Sequence, residues 1–128
     1  MPLDDISRYD IVQPDRVRSM ALPNSHFHIL LVLADQDRHG YSIMKETESL
    51  TQGEVTLGPG ALYSALGKLS DQGLIEEIDE RPVPELDDSR RRYYRITDTG
   101  RRALGAELHR LHRVVEHARR SDLGWSPT

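Results

Sequence analysis

The stretch "HFHILLVLAD" is too dense in apolar residues for a half-exposed helix, and its spacing predicts a central core helix. Pro23, Asn24 and Ser25 stand ahead of it as a start signal, a proline with two residues able to cap. "DQDRHG", from Asp35 to Gly40, reads as a polar turn. Helical spacing resumes in "YSIMKETESLTQ", with Tyr41, Ile43, Met44, Thr47 and Leu50 on or near one face and Gly53 ending it. A third helix carries Leu62, Leu66 and Leu69 at i, i+4 and i+7, with Gly73 as its stop.

Two short strands follow, "LIEEIDE" and "RRRYYRI", the second alternating Arg91, Tyr93 and Arg95 against Arg92, Tyr94 and Ile96. Between them "RPVPELDDS" is too rich in proline and acid to be strand. Val55 and Thr56, in the connection after the second helix, have room to pair as a third edge strand. Thr97 is placed to cap a final helix, with Asp98 in its first turn at the positive end of the dipole. Along that helix Leu104, Leu108, Leu111, Val115 and Ala118 are spaced by four, three, four and three residues. That alternation fits a seam between two copies of the helix, and it also fits a surface helix packing on its own domain. The charged faces around it and its place near the chain end favour the seam.

Three helices, a hairpin and a last helix make the chain mainly α with a small β-hairpin (α+β). The arrangement is that of a winged helix-turn-helix with a C-terminal dimerisation helix. The expected organisation is an arm over residues 1–22, a winged helix over 23–96, the dimerisation helix over 97–120 and a tail over 121–128. The arm's apolar residues follow no single period; Pro14 interrupts it, and a short helix fits only 15–22.

A length of 128 residues suits one domain with a modest core, completed by association. No stretch of about 18 apolar residues is present to span a membrane, and the N-terminal residues lack the apolar segment of a signal peptide. The absence of cysteine removes disulfides and thiol chemistry, and the cytoplasm is the expected compartment. The net charge of −4 speaks against a polyanion partner only until the distribution is read. From Asp71 to Asp88 eight acids face one arginine, whereas from Ser89 to Arg102 six arginines face one acid. Local field governs binding to a polyanion.

"TLGPGALYSALGKLSDQGLIE" raises the question of a nucleotide loop, because two glycines and a proline precede a helix. A phosphate loop needs lysine directly after a longer glycine-rich turn, and here the lysine comes too late. Pro59 suits the first turn of a helix, where its missing N–H costs nothing. Gly60 leaves the start of the helix bare enough for a DNA phosphate to approach. Tyr63, Ser64 and Lys68 lie off the leucine face. The arginines around Tyr93 and Tyr94 read either as a solvated face or, beside a recognition helix, as phosphate contacts from Arg90, Arg91 and Arg92. His109, His112 and Glu116 could share a helix face, but no fourth ligand or orienting partner is identifiable, so no metal or cofactor is expected. No carboxylate sits in an apolar setting and Ser64 has no paired histidine, so no enzymatic activity is expected.

"FHILLVLADQDRHGYSIMKE", "LGPGALYSALGKLSDQGLIEE" and "RRRYYRITDTGRRAL", in this order, resemble the PadR family of bacterial transcriptional regulators over about residues 22–118. The resemblance implies a winged-helix homodimer joined through its C-terminal helix, Leu104 to Ala118. It implies repression of a promoter, relieved in some members by a small aromatic or drug-like molecule. By position, His39, Gly40 and Tyr41 open the second helix, and Ser42 follows as a candidate contact. Gly60, Ala61, Tyr63 and Ser64 fall at the DNA-facing start of the third, and Arg90, Arg91 and Arg92 on the wing; Lys68, off the leucine face, is the further candidate contact on that helix. Ala61 stands where the family commonly has Thr or Ser, and Glu85, Asp87 and Asp88 would repel phosphate unless turned outward. A winged-helix module that docks a protein rather than DNA is the competing reading. Trp125, the one tryptophan, lies in the tail beyond the seam, a poor place for a ligand platform.

Overall fold

The computed structural model describes residues 22–78 and 92–128. The expected arm up to residue 21, the acidic connection with Glu85, Asp87 and Asp88, and Arg90 and Arg91 lie outside the described residues.

Helix α1 runs Asn24–Asp35, strand β1 Arg38–His39, helix α2 Gly40–Leu50 and helix α3 Pro59–Asp71; strands β2 and β3 run Ile75–Ile78 and Tyr93–Ile96, and helix α4 runs Asp98–Arg120. The strands form one antiparallel sheet in the order β1-β3-β2. Tyr94 pairs with Arg38 on one side and Glu77 on the other, and Arg95 stands opposite Glu76. The expected hairpin is present, but its third strand is Arg38–His39 and not Val55–Thr56, which take no strand conformation. The "polar turn" before α2 therefore contributes an edge strand.

Two compact units divide the chain. One is Pro23–Leu104; the other comprises Gly105–Thr128 with, among the described residues, Leu22. In the first unit Ile29, Leu30 and Leu33 of α1, Ile43 of α2 and Leu62, Leu66 and Leu69 of α3 form the centre of the core. Tyr94 and Ile96 close it from β3. The leucines at i, i+4 and i+7 on α3 bury one stripe and leave the opposite face in solvent. Tyr41 and Leu50, expected with the buried face of α2, are instead exposed.

Helix ends follow local chemistry. Gly58 caps α3 in an extended conformation and Pro59 is its first helical residue. At the other end Gly73 has φ +75°, and the Leu74 amide reaches back to the Leu69 carbonyl at 3.0 Å, a left-handed stop that favours glycine. Pro23 precedes α1 with no side-chain cap, so Asn24 and Ser25 lie inside the helix rather than capping it. Thr97 does cap α4: its Oγ1 accepts from the Gly100 amide at 3.0 Å and donates to the Gly73 carbonyl at 2.6 Å. One hydroxyl thus ties the start of α4 to the end of α3.

Candidate nucleic-acid interface

The exposed side of α3 begins at its bare N-terminal turn. Gly58, Pro59, Gly60 and Ala61 are exposed, followed by Tyr63, Ser64 and Lys68. Leu62, Ala65, Leu66 and Leu69 anchor the opposite side. Nothing crowds the missing side chains of Gly58 and Gly60, so the space over the first turn is open.

The start of α2 meets that turn. His39 is its N-cap: Nδ1 accepts from the Ser42 amide at 3.2 Å, which places the proton of the neutral ring on Nε2. The His39 ring stacks at 6.4 Å on Tyr41 and meets Tyr93 edge-on at 5.2 Å. Lys45, one turn after Tyr41, holds its ammonium 5.9 Å from that ring's centroid. Tyr41 and Lys45 therefore belong to the same exposed surface, although neither was among the expected contacts; a tyrosine and a lysine at i, i+4 were the available signal.

Arg38 stands behind this surface. It is buried, donates from Nε to the Val32 carbonyl at 2.9 Å and from Nη1 to Ser42 Oγ at 3.2 Å. Asp35 and Glu46 lie 4.0 and 3.9 Å from its guanidinium. A buried guanidinium needs such partners to offset its desolvation. The Ser42 hydroxyl is thereby engaged within the protein, and what it could offer DNA is its remaining donor capacity.

On the sheet, Arg92 is exposed and its Nε lies 3.5 Å from Glu77 Oε2. Arg95 forms a bidentate pair with Asp37, with the shorter contact at 2.8 Å. Tyr94 of β3 is buried; burial first, then the Glu77 charge, pushes its phenol above the usual range, with a smaller contribution from Tyr63 and an opposing one from Arg92. Burial, and secondarily the Lys68 charge, holds the His26 imidazole below its ordinary value. His26 is thus buried on α1. Among the described residues no cluster of His, Asp and Glu could hold a metal ion, and no helix is long and apolar enough to cross a membrane.

The expected seam on α4 is only partly available to another chain. Leu104 is 5% exposed and belongs to the core of the winged-helix unit, so it is not offered at the surface. Leu108 is 44% and Val115 38% exposed, Leu111 and Ala118 are half-buried, and Val114, outside the expected spacing, is 53% exposed.

Three helices, the third with a bare exposed face, and a three-stranded antiparallel sheet define a winged helix-turn-helix. The model of the transcriptional regulator PadR-like family matches residues 29–106, and the chain belongs to that family. It is 35% identical over 97 residues to the transcriptional regulator Rv3488 of Mycobacterium tuberculosis, covering 76% of this chain and 80% of Rv3488. It is 44% identical over 52 residues to the transcriptional regulator YqjI of Escherichia coli, covering 41% of this chain and only a quarter of YqjI. A transcriptional regulator from Clostridium thermocellum, Cth-833, shares the fold with a TM-score of 0.64 at 23% identity, over 88% of this chain and 99% of that one.

Proposed function

We propose that the protein is a dimeric, sequence-specific DNA-binding regulator that represses transcription by occupying a promoter. The observation that carries this reading is the two-faced α3: a leucine stripe fixes the helix to the core, while Gly60, Ala61, Tyr63, Ser64 and Lys68 stand exposed beyond an open first turn. A helix so held can enter a major groove with side chains free to meet base edges, and its first amides can approach a phosphate. His39 and Ser42 at the start of α2, and Arg92 on the wing, flank it, and Arg90 and Arg91 adjoin Arg92 in the sequence. Ala61 provides no hydroxyl, so Tyr63 and Ser64 carry the polar reading at the start of the helix. Leu108, Leu111, Val115 and Ala118 of α4 supply the dimer contact, and a small aromatic molecule that alters it would release DNA.

Selection of bound duplexes from a random pool tests this reading, followed by a salt titration on the selected sequence. A recurrent two-fold-related site is expected. Its affinity should fall steeply with salt, on the order of 10³-fold between 50 and 200 mM, as six or so phosphate contacts release their counterions. No enriched sequence, or a flat salt response, overturns the reading in favour of a protein-docking module.

A further inference from the structure

Gly40 is the first residue of α2, and its missing side chain is occupied by another residue. A Cβ placed there would lie 2.5 Å from Tyr63 Oη, 3.1 Å from Tyr63 Cζ and 3.3 Å from Leu62 Cδ2. Tyr63 therefore reaches from the first turn of α3 across to the first residue of α2 and seats the end of its ring in the space glycine leaves. It is nevertheless 52% exposed, so the side chain keeps a large solvent-facing surface while its hydroxyl end meets Gly40.

We infer that Gly40 is a specificity-determining position: by seating the hydroxyl end of Tyr63 it fixes the side chain in one orientation and so sets which part of its exposed surface meets the DNA. The inference rests on the DNA-reading function of α3 proposed above. Gly40 itself touches no base and is a positioning residue. A tyrosine held before binding spends no rotamer freedom on the encounter, and a ring placed a fraction of an ångström off loses packing against the base edges it meets. The closest contact is the far end of a flexible side chain rather than backbone, and Leu62 Cδ2 at 3.3 Å needs to give by only a few tenths of an ångström. Substitution at Gly40 can accordingly move the reader while the fold survives, which separates a positioning role from a structural one.

Tyr63→Phe supplies the matching half of the test, because it removes the atom that meets the added Cβ most closely and leaves Cζ at 3.1 Å, a contact that a ring shift of a few tenths of an ångström relieves. Four proteins are compared on the duplex selected by the wild type and on a scrambled one: wild type, Gly40→Ala, Tyr63→Phe and the double variant. Gly40→Ala is expected to lose about tenfold or more in discrimination between the two duplexes, the range set by one misplaced base contact. Its circular dichroism and salt-dependent binding to the scrambled duplex should be retained. The double variant is expected to return to within about threefold of Tyr63→Phe alone, since neighbouring residues that share one space are not additive.

Discrimination unchanged in Gly40→Ala overturns the inference, as does a double variant no better than Gly40→Ala. A second readout needs no DNA. In tyrosine-labelled protein, Gly40→Ala should shift the ring resonances of Tyr63, and unchanged resonances mean that the ring is not seated at Gly40. A wild type that selects no duplex fails the DNA reading and removes the functional claim for Gly40, while the resonance shift still reports on the seat. The two failures are therefore told apart.

Discussion

The side chain of Thr47 is fully buried on α2, and its hydroxyl oxygen meets no hydrogen-bond partner among the described residues. Its backbone carbonyl is well used, accepting from the Thr51 amide at 3.1 Å and from Thr51 Oγ1 at 2.9 Å. Leaving a buried hydroxyl unpaired costs roughly 1–3 kcal/mol. Valine has a similar shape and a similar helix propensity, so Thr47→Val replaces the orphaned oxygen by a methyl group at little backbone cost. The expected result is a stabilisation of about 1 kcal/mol, seen as a melting temperature higher by about 3–5 °C. A lower melting temperature would mean that the hydroxyl has a partner or that the site is too tight for the methyl.

At the scale of the element, α4 shows how an ionised side chain is held on a helix that begins in one compact unit and continues in the other. Glu107 is 5% exposed and accepts from Arg110 at 3.0 and 2.7 Å. That hydrogen bonding holds its carboxyl below the usual value, against the opposing effect of burial. A carboxylate lowered in this way binds fewer protons when folded than when unfolded. Its contribution is complete above the unfolded value, near 4.5, and is lost as pH falls through the lower folded value. Glu107→Gln should therefore lower the melting temperature at pH 7 and flatten the loss of stability below about pH 4.5. Wild-type and variant melting curves that fall in parallel from pH 6 to pH 3 would show that Glu107 does not carry the acid limb. The elements most legible in the sequence were those held by their own periodicity or caps: the leucine stripe of α3, Pro59 at its start, Gly73 at its end and Thr97 before α4. Strand β1 was not legible, because two residues carry no period and because the burial of Arg38 depends on Val32, Ser42, Asp35 and Glu46, which are assembled only by the fold. The exposed positions of α3 could be read in advance from the face opposite the leucines. The seat of Tyr63 at Gly40 could not, since glycine gives no sign of what fills its space.

For the whole molecule, the later part of α4 carries an apolar stripe that the proposed dimer would cover. Leu108, Val114 and Val115 are exposed there, while the acids Glu107 and Glu116 are already paired within the chain. Glu107 binds Arg110, and Glu116 binds Arg119 at 3.0 Å and lies 3.7 Å from Arg120. Those acids are committed in cis, so in the proposed dimer the attraction for a second copy would come from the stripe and not from charge exchange. A two-fold dimer uses the same patch from both chains, so one substitution is introduced twice in the interface. Leu108→Asp would place two carboxylates in the seam, each costing roughly several kcal/mol to desolvate without a partner. On the proposed dimer, micromolar wild type should sediment as a dimer and Leu108→Asp as a monomer, with the helical content unchanged. The monomeric variant should also lose affinity for a two-fold site far more than for a single half-site, because each winged helix still presents α3 but the two are no longer linked. A Leu108→Asp protein that dimerises as tightly as the wild type would move the interface off this stripe. A wild type that is itself monomeric would remove the dimer from the proposal and leave the winged helix to bind alone.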